Sequence, residues 1–120
     1  AAAMYSQAVA RFTAPGEQSR KPSDVEWPSA NDLFHALILT ASGNHRLHET
    51  VRHMNLGFRY LTWSTLSESS RLLHENVTEH DRILRAIEEH QPATARREMQ
   101  RHIARTAERV AGRYERSQTA

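Results

Sequence analysis

The sequence predicts an all-α fold, an antiparallel bundle of about five helices. Apolar residues recur three and four positions apart in several long segments, which is the period of a helix with one buried face. Only 38% of the residues are hydrophobic and four are glycine, which favours amphipathic helices over a tightly turned β fold. All four prolines stand between these segments rather than inside them. At 120 residues, the chain fits one domain.

The charge and composition exclude several classes of protein. Sixteen basic and fourteen acidic residues give a formal charge of +2, too small an imbalance to indicate a nucleic-acid surface. No run approaches 18 apolar residues, so we expect no membrane span. Cysteine is absent, which excludes thiolate metal sites and suits a cytoplasmic protein. Eight histidines are the compositional anomaly.

Residues 1–28 are interpreted as a short helix and a linker, the remnant of a longer chain. The helix is predicted over Ala2–Phe12 and ends at Pro15-Gly16. Residues 17–28 show no apolar period. The bundle itself is therefore assigned to residues 29–120.

The second helix is predicted to begin at Ser29, an N-cap residue with Asp32 three positions later, as in a capping box. Gly43 is expected to end this helix in the left-handed conformation. The third helix is predicted over His45–Ser67. Its apolar residues form two stripes, so it should be central or covered by another chain. The first stripe comprises Leu47, Val51, Met54, Phe58 and Leu61, and the second Leu56, Tyr60 and Trp63.

The last two helices each carry one histidine within an apolar stripe. A break is expected at residues 67–70, since Ser and Thr dominate there, and Gln91-Pro92 should form the second turn. The fourth helix, to His90, has Leu73, Val77, His80, Leu84 and Ile87 on its stripe. The fifth, to about Arg116, has Ala95, Met99, His102, Thr106 and Val110 on its inner face.

His80 and His102 are predicted to face each other. His80 lies eleven positions before Gln91 and His102 eleven after it, so an antiparallel hairpin places them at one height. A buried imidazole needs a hydrogen bond or a metal for its inward nitrogen. His35 would add a third imidazole, and Asn31, one turn earlier, an oxygen ligand. The alternative is that all three histidines are core residues bonded to backbone carbonyls.

Neutral imidazoles suit a divalent transition metal. We take zinc as the first expectation, while nickel, manganese, cobalt and iron stay open. With four protein ligands, an octahedral ion would keep two open positions.

Two pairs of motifs resemble one known family. Residues 31–35 and 41–47 are similar to its D/N-x-x-F-H and A-S-G-N-x-x-L motifs. Residues 79–87 and 95–103 are similar to its E-H-x-x-I-L-x-A-I and A-x-x-x-M-x-x-H-I motifs. Over residues 29–110 the chain thus resembles the FCD domain, the C-terminal ligand-sensing domain of FadR-type regulators in the GntR superfamily.

The resemblance implies a helical bundle that binds a divalent metal and a small carboxylate effector. Its metal ligands carry over to Asn31, His35, His80 and His102, the same four positions. Much of the family has Asp where this chain has Asn31, and Asp32 could replace it only if the helix starts irregularly. The resemblance also implies a homodimer and an N-terminal winged helix-turn-helix that binds operator DNA. That domain is not present in this sequence.

The sequence therefore predicts an effector-sensing domain without enzymatic activity. Arg52 and Arg59, on a polar stripe of the third helix, are the candidate partners of the effector's carboxylate. One alternative is a metal-dependent hydrolase built on the three histidines, with Glu79 or Glu98 as general base. The other is a helical dimerisation module that holds no metal.

Overall fold

The structure is a computed structural model that describes residues 26–119, except for the side chains of residues 26–29 and 55–58. The described residues form four α-helices and contain no strand, which confirms the predicted all-α fold. The predicted helix over Ala2–Phe12 lies outside the described residues. The helices are α1 (Glu26–Ala41), α2 (His45–Leu66), α3 (Ser70–Glu88) and α4 (Pro92–Thr119). They correspond in this order to the second, third, fourth and fifth predicted helices.

The chain divides into two compact units, of which the first ends at Ser70. Within this unit α1 packs against α2. The turn between them follows the prediction, because Gly43 adopts a left-handed φ of +66°. Asn44 then caps α2, and its Oδ1 accepts a hydrogen bond of 3.0 Å from the backbone N–H of Leu47.

The predicted start of α1 is wrong by about one turn. Helix α1 begins at Glu26, so Ser29 and Asp32 lie inside it and do not form a capping box. Pro28 occupies the third helical position, where a backbone N–H would have no acceptor within the helix, so proline is tolerated there. Asp32 instead forms an ion pair with Arg59 of α2.

Most of the described side chains on the first apolar stripe of α2 are exposed. Leu47, Met54 and Leu61 are 45%, 72% and 46% exposed. Among the side chains of α2 that the structure describes, the buried ones are Thr62, Thr65 and Leu66 near its C-terminal end. Of the two sequence interpretations, a central α2 is therefore wrong for these residues, and cover by another chain stays a prediction.

The second unit, from Arg71, contains the hairpin of α3 and α4. The buried residues of α3 extend over about half of the helix circumference, at about 100° per residue. They include the predicted stripe from Leu73 to Leu84, and also Asn76, Glu79, Ile83 and Ala86. Ile87 continues the same stripe into the last turn of α3, but it is 43% exposed there.

The turn of the hairpin has a Schellman arrangement. Gln91 N–H donates to the Ala86 carbonyl at 2.8 Å, and His90 N–H donates to the Ile87 carbonyl at 3.1 Å. His90 has a φ of +56°, which is uncommon for a residue with a side chain. Helix α4 starts at Pro92, as predicted, and continues to Thr119, beyond the expected end at Arg116.

The predicted inner face of α4 is partly buried. His102 and Thr106 are buried, whereas Ala95, Met99 and Val110 are partly exposed. Among the described residues, none of the helices is both long and apolar enough to pass through a lipid bilayer.

The left-handed His90 gives a test of the hairpin turn. We expect His90→Gly to raise the free energy of unfolding by about 0.5–1 kcal/mol, because glycine has no Cβ to clash in this conformation. His90→Val should lower it by at least as much, since a β-branched residue suits this conformation least. Urea denaturation of both variants measures the effect. Equal destabilisation by glycine and valine would contradict the turn geometry.

Candidate metal centre

The centre of the candidate site is the contact between His80 and His102. Both side chains are buried, at 0% and 4% exposure, and their Nε2 atoms lie 3.2 Å apart. The two rings meet edge to face, with centroids 4.6 Å apart. The predicted level, facing geometry of the two histidines is therefore confirmed, because the turn at Gln91 places α3 and α4 in that register.

Glu79 fixes the orientation of His102. The Nδ1 of His102 lies 2.8 Å from Oε1 of Glu79, where it donates its hydrogen to the carboxylate. A neutral His102 with its hydrogen on Nδ1 keeps a lone pair on Nε2, directed at His80. Carboxylates bonded in this way to the second nitrogen of a histidine are common partners of metal ligands.

Arg109 holds the Glu79 carboxylate from the other side. Its guanidinium donates to both oxygens of Glu79, from Nη2 at 2.6 Å and from Nη1 at 3.1 Å, and also reaches Glu75 at 3.3 Å. The side chains of Glu79 and Arg109 are 6% and 12% exposed. Such a bidentate pair gives the buried carboxylate a defined position.

The pKa of Glu79 reflects these partners. Burial alone would raise this pKa, but hydrogen bonds from His102 and Arg109, together with the Arg109 charge, lower it to about 2. Burial likewise opposes the charge of Arg109, yet the hydrogen bond and charge of Glu79 raise the pKa of its guanidinium. Glu79 is therefore ionised at neutral pH and acts as a hydrogen-bond acceptor.

Sequence reasoning considered Glu79 only as a possible general base and did not consider Arg109. A signal for both was nevertheless present. Glu75 and Glu79 lie one helical turn apart on α3, and Arg105 and Arg109 one turn apart on α4, at similar distances from Gln91. Opposite charges repeated at the same spacing on both arms of a hairpin indicate ion pairs across it, and Arg105 lies 3.5 Å from Glu79.

Asn31 and His35 lie one turn apart on α1, in the first unit, and both are partly buried. Phe34 beside them is fully buried, and its ring meets that of His35 with centroids 4.9 Å apart. The assignment of Asn31 and His35 as metal ligands stays a prediction. Asp32, the other possible oxygen ligand, is bound to Arg59, and partial burial raises its pKa although Arg59 opposes the shift.

The two candidate effector residues are both engaged in ion pairs. Arg52 is 64% exposed and pairs with Glu49 at 2.9 Å on the same helix. Arg59 is 43% exposed and pairs with Asp32 of α1. A carboxylate effector would have to replace these partners, so the role of both arginines stays a prediction.

The donor atoms of the second unit fit a divalent transition metal. Two nitrogens that bind one tetrahedral zinc at about 2.0–2.1 Å lie about 3.3 Å apart. The Nε2 atoms of His80 and His102 are separated by 3.2 Å. An ion bound by both would take the place of the hydrogen shared between them.

One comparison with known proteins gives a match. The family model of the FCD domain matches residues 2–105, which is most of the chain and includes the stretch before Ser29. No curated protein and no solved structure gives a significant match.

The ion pair between Glu79 and Arg109 can be tested by a double-mutant cycle. We expect Arg109→Met to lower the free energy of unfolding by about 3 kcal/mol, because it leaves a buried carboxylate without its main cation. Adding Glu79→Gln should restore part of the loss, giving a coupling of more than about 1 kcal/mol. Chemical denaturation in the presence of a chelator measures the four proteins.

Arg105→Met is the matched control for this cycle. Arg105 is 49% exposed, and its distance of 3.5 Å to Glu79 is longer than the 2.6 Å of Arg109. Its loss should therefore lower the free energy of unfolding by less than about 1 kcal/mol. Equal effects of the two arginine substitutions, or additive effects of Glu79→Gln and Arg109→Met, would argue against the described network.

Proposed function

Because the chain belongs to the FCD domain family, we propose that it is the effector-sensing domain of a GntR-type transcriptional regulator. The observation that carries the metal-binding part of this proposal is the buried His80–His102 pair with Glu79 behind it. A core histidine pair needs no ionised carboxylate to fix its tautomer, whereas a pair of metal ligands benefits from one.

The proposed ligands are Asn31, His35, His80 and His102, and zinc is the first candidate ion. When bound, the ion supplies a positive charge to which an anionic effector can bind. Asn31 is neutral, so a site with it in place of Asp leaves the full +2 charge. This weakens the protein's hold on the metal and strengthens the attraction for a carboxylate.

Regulation would follow from the difference in effector affinity between two conformations. An effector that binds both conformations with equal affinity does not change their populations, however tightly it binds. Arg59 is suited to this role because its guanidinium joins α1 and α2 through Asp32. Exchange of the Asp32 carboxylate for that of an effector would release this link. Arg52, at the surface of the same helix, is the second proposed contact.

The partners proposed for the domain are a second copy of the chain and, through a winged helix-turn-helix, operator DNA in the cytoplasm. The exposed Leu47, Met54 and Leu61 of α2 support the homodimer, because apolar side chains repeated along one stripe suit a helix that packs on another chain.

Two observations favour sensing over hydrolysis. A general base needs a pKa near the working pH, whereas the pKa of Glu79 is lowered to about 2 and its oxygens are bonded to His102 and Arg109. Glu98, the other candidate base, pairs with Arg101 at 3.4 Å. Each of the two carboxylates considered as a general base is therefore already paired with an arginine.

Metal content is the most direct test. We expect about one equivalent of a transition metal in purified protein or after reconstitution, and its loss in His80→Ala and His102→Ala. Elemental analysis after desalting measures it. His53→Ala, at a histidine that is 74% exposed, is the control and should retain the metal. A content below about 0.1 equivalent in the unmodified protein would leave a helical dimerisation module as the function.

A carboxylate screen tests the effector. Thermal unfolding of the metal-loaded protein is recorded with mono- and dicarboxylates, including sugar acids and hydroxy acids. A true effector at about 100 times its Kd should stabilise the protein by about 2.7 kcal/mol. Arg59→Met should reduce this gain, whereas Arg71→Met, an exposed arginine of α3, should not. Absence of a shift with every acid would count against the sensing role.

A further inference from the structure

Asn76 is a buried polar residue that the features above do not explain. It lies on α3, is 1% exposed, and its Oδ1 has no hydrogen-bond partner among the described residues. A buried amide oxygen without a donor destabilises the folded state, because it loses its hydrogen bonds to water and forms none within the protein. Such an atom is expected where a ligand supplies the missing partner.

The position of Asn76 on α3 directs it towards the candidate metal centre. It precedes His80 by one turn and lies about 40° from it around the helix axis, between the directions of Glu79 and His80. Glu79 and His80 both contact His102 of α4. Asn76 therefore shares the face of α3 that is turned to His102.

The hydroxyl of α4 at the height of Asn76 already donates its hydrogen to another acceptor. Thr106 is as far after Gln91 as Asn76 is before it, so the hairpin brings the two to the same height. The Thr106 hydroxyl, however, donates to the backbone carbonyl of His102 at 2.9 Å. The turn therefore brings Asn76 opposite a side chain whose hydrogen is committed elsewhere.

We propose that Asn76 is a further oxygen donor of the metal centre, with its Oδ1 bound to the ion or to a water on the ion. The inference rests on the proposed metal site at His80 and His102. An amide oxygen is a neutral ligand that divalent ions accept beside imidazoles. Asn76 also stands four positions before His80, the spacing that Asn31 has to His35.

Asn76→Leu separates this role from a structural one. Leucine has a similar size and no polar atom, so it removes the unpaired oxygen and fills the same space. If Asn76 is a metal ligand, Asn76→Leu should leave the melting temperature of the metal-free protein unchanged or higher. It should also weaken zinc binding about 10-fold. A residue that is structural should give a lower melting temperature and unchanged zinc affinity.

Zinc titration by calorimetry and thermal unfolding with a chelator provide the two measurements. His80→Ala is the reference for loss of the site. If the unmodified protein binds no zinc, the proposed function itself fails. If it binds zinc and Asn76→Leu binds with equal affinity, only the role of Asn76 is overturned.

Asn76→Asp is a second variant, in case leucine prevents folding. A buried carboxylate should lower the melting temperature of the metal-free protein, and its charge should tighten zinc binding about 10-fold if the oxygen reaches the ion's shell. The rise in melting temperature on adding zinc would then exceed that of the unmodified protein. Zinc affinity unchanged in this variant would overturn the proposal.

Discussion

The ionised Glu79 carboxylate is the interaction on which the candidate site depends. It is buried, so it is stable only with the guanidinium of Arg109 and the Nδ1 hydrogen of His102 beside it. Those two contacts join α3 to α4 and set the tautomer of His102. The lone pair that His102 presents to His80 follows from this one charged group, and the proposed binding of an ion by the pair depends on it.

The second constraint is the hairpin turn. His80 and His102 come level only because the chain reverses around Gln91, and a shift of one residue would rotate one imidazole by about 100° away from the other. The Schellman hydrogen bonds to Ala86 and Ile87 and the fixed φ of Pro92 define that reversal. His90 adopts a left-handed conformation in this turn, so local strain there supports the contact between His80 and His102, ten residues before it and twelve after it.

One feature of the candidate site carries a cost in stability that the proposed metal would offset. Among the residues that the structure describes, the buried Oδ1 of Asn76 has no hydrogen-bond partner. In the first unit, Arg59 is held by Asp32, an exposed pair that a competing carboxylate could replace. If the proposed metal and effector bind in this way, each would stabilise the folded domain, as the proposed sensing role requires.

The sequence by itself determined the helices of the described residues, their turns and the facing of His80 and His102, because these follow from helical period and from the chain's reversal at Pro92. The predictions from sequence were wrong where local signals were ambiguous. Ser29 resembled an N-cap, although the first turn of a helix tolerates a proline and the helix begins earlier, at Glu26. The stripe that begins at Leu47 resembled a buried face, although most of its described residues are exposed. Tertiary structure alone decided that Glu79 binds His102 and Arg109 and that Oδ1 of Asn76 has no partner among the described residues. Periodicity assigns a residue to a face, whereas hydrogen bonds depend on which side chains of another helix come within about 3 Å.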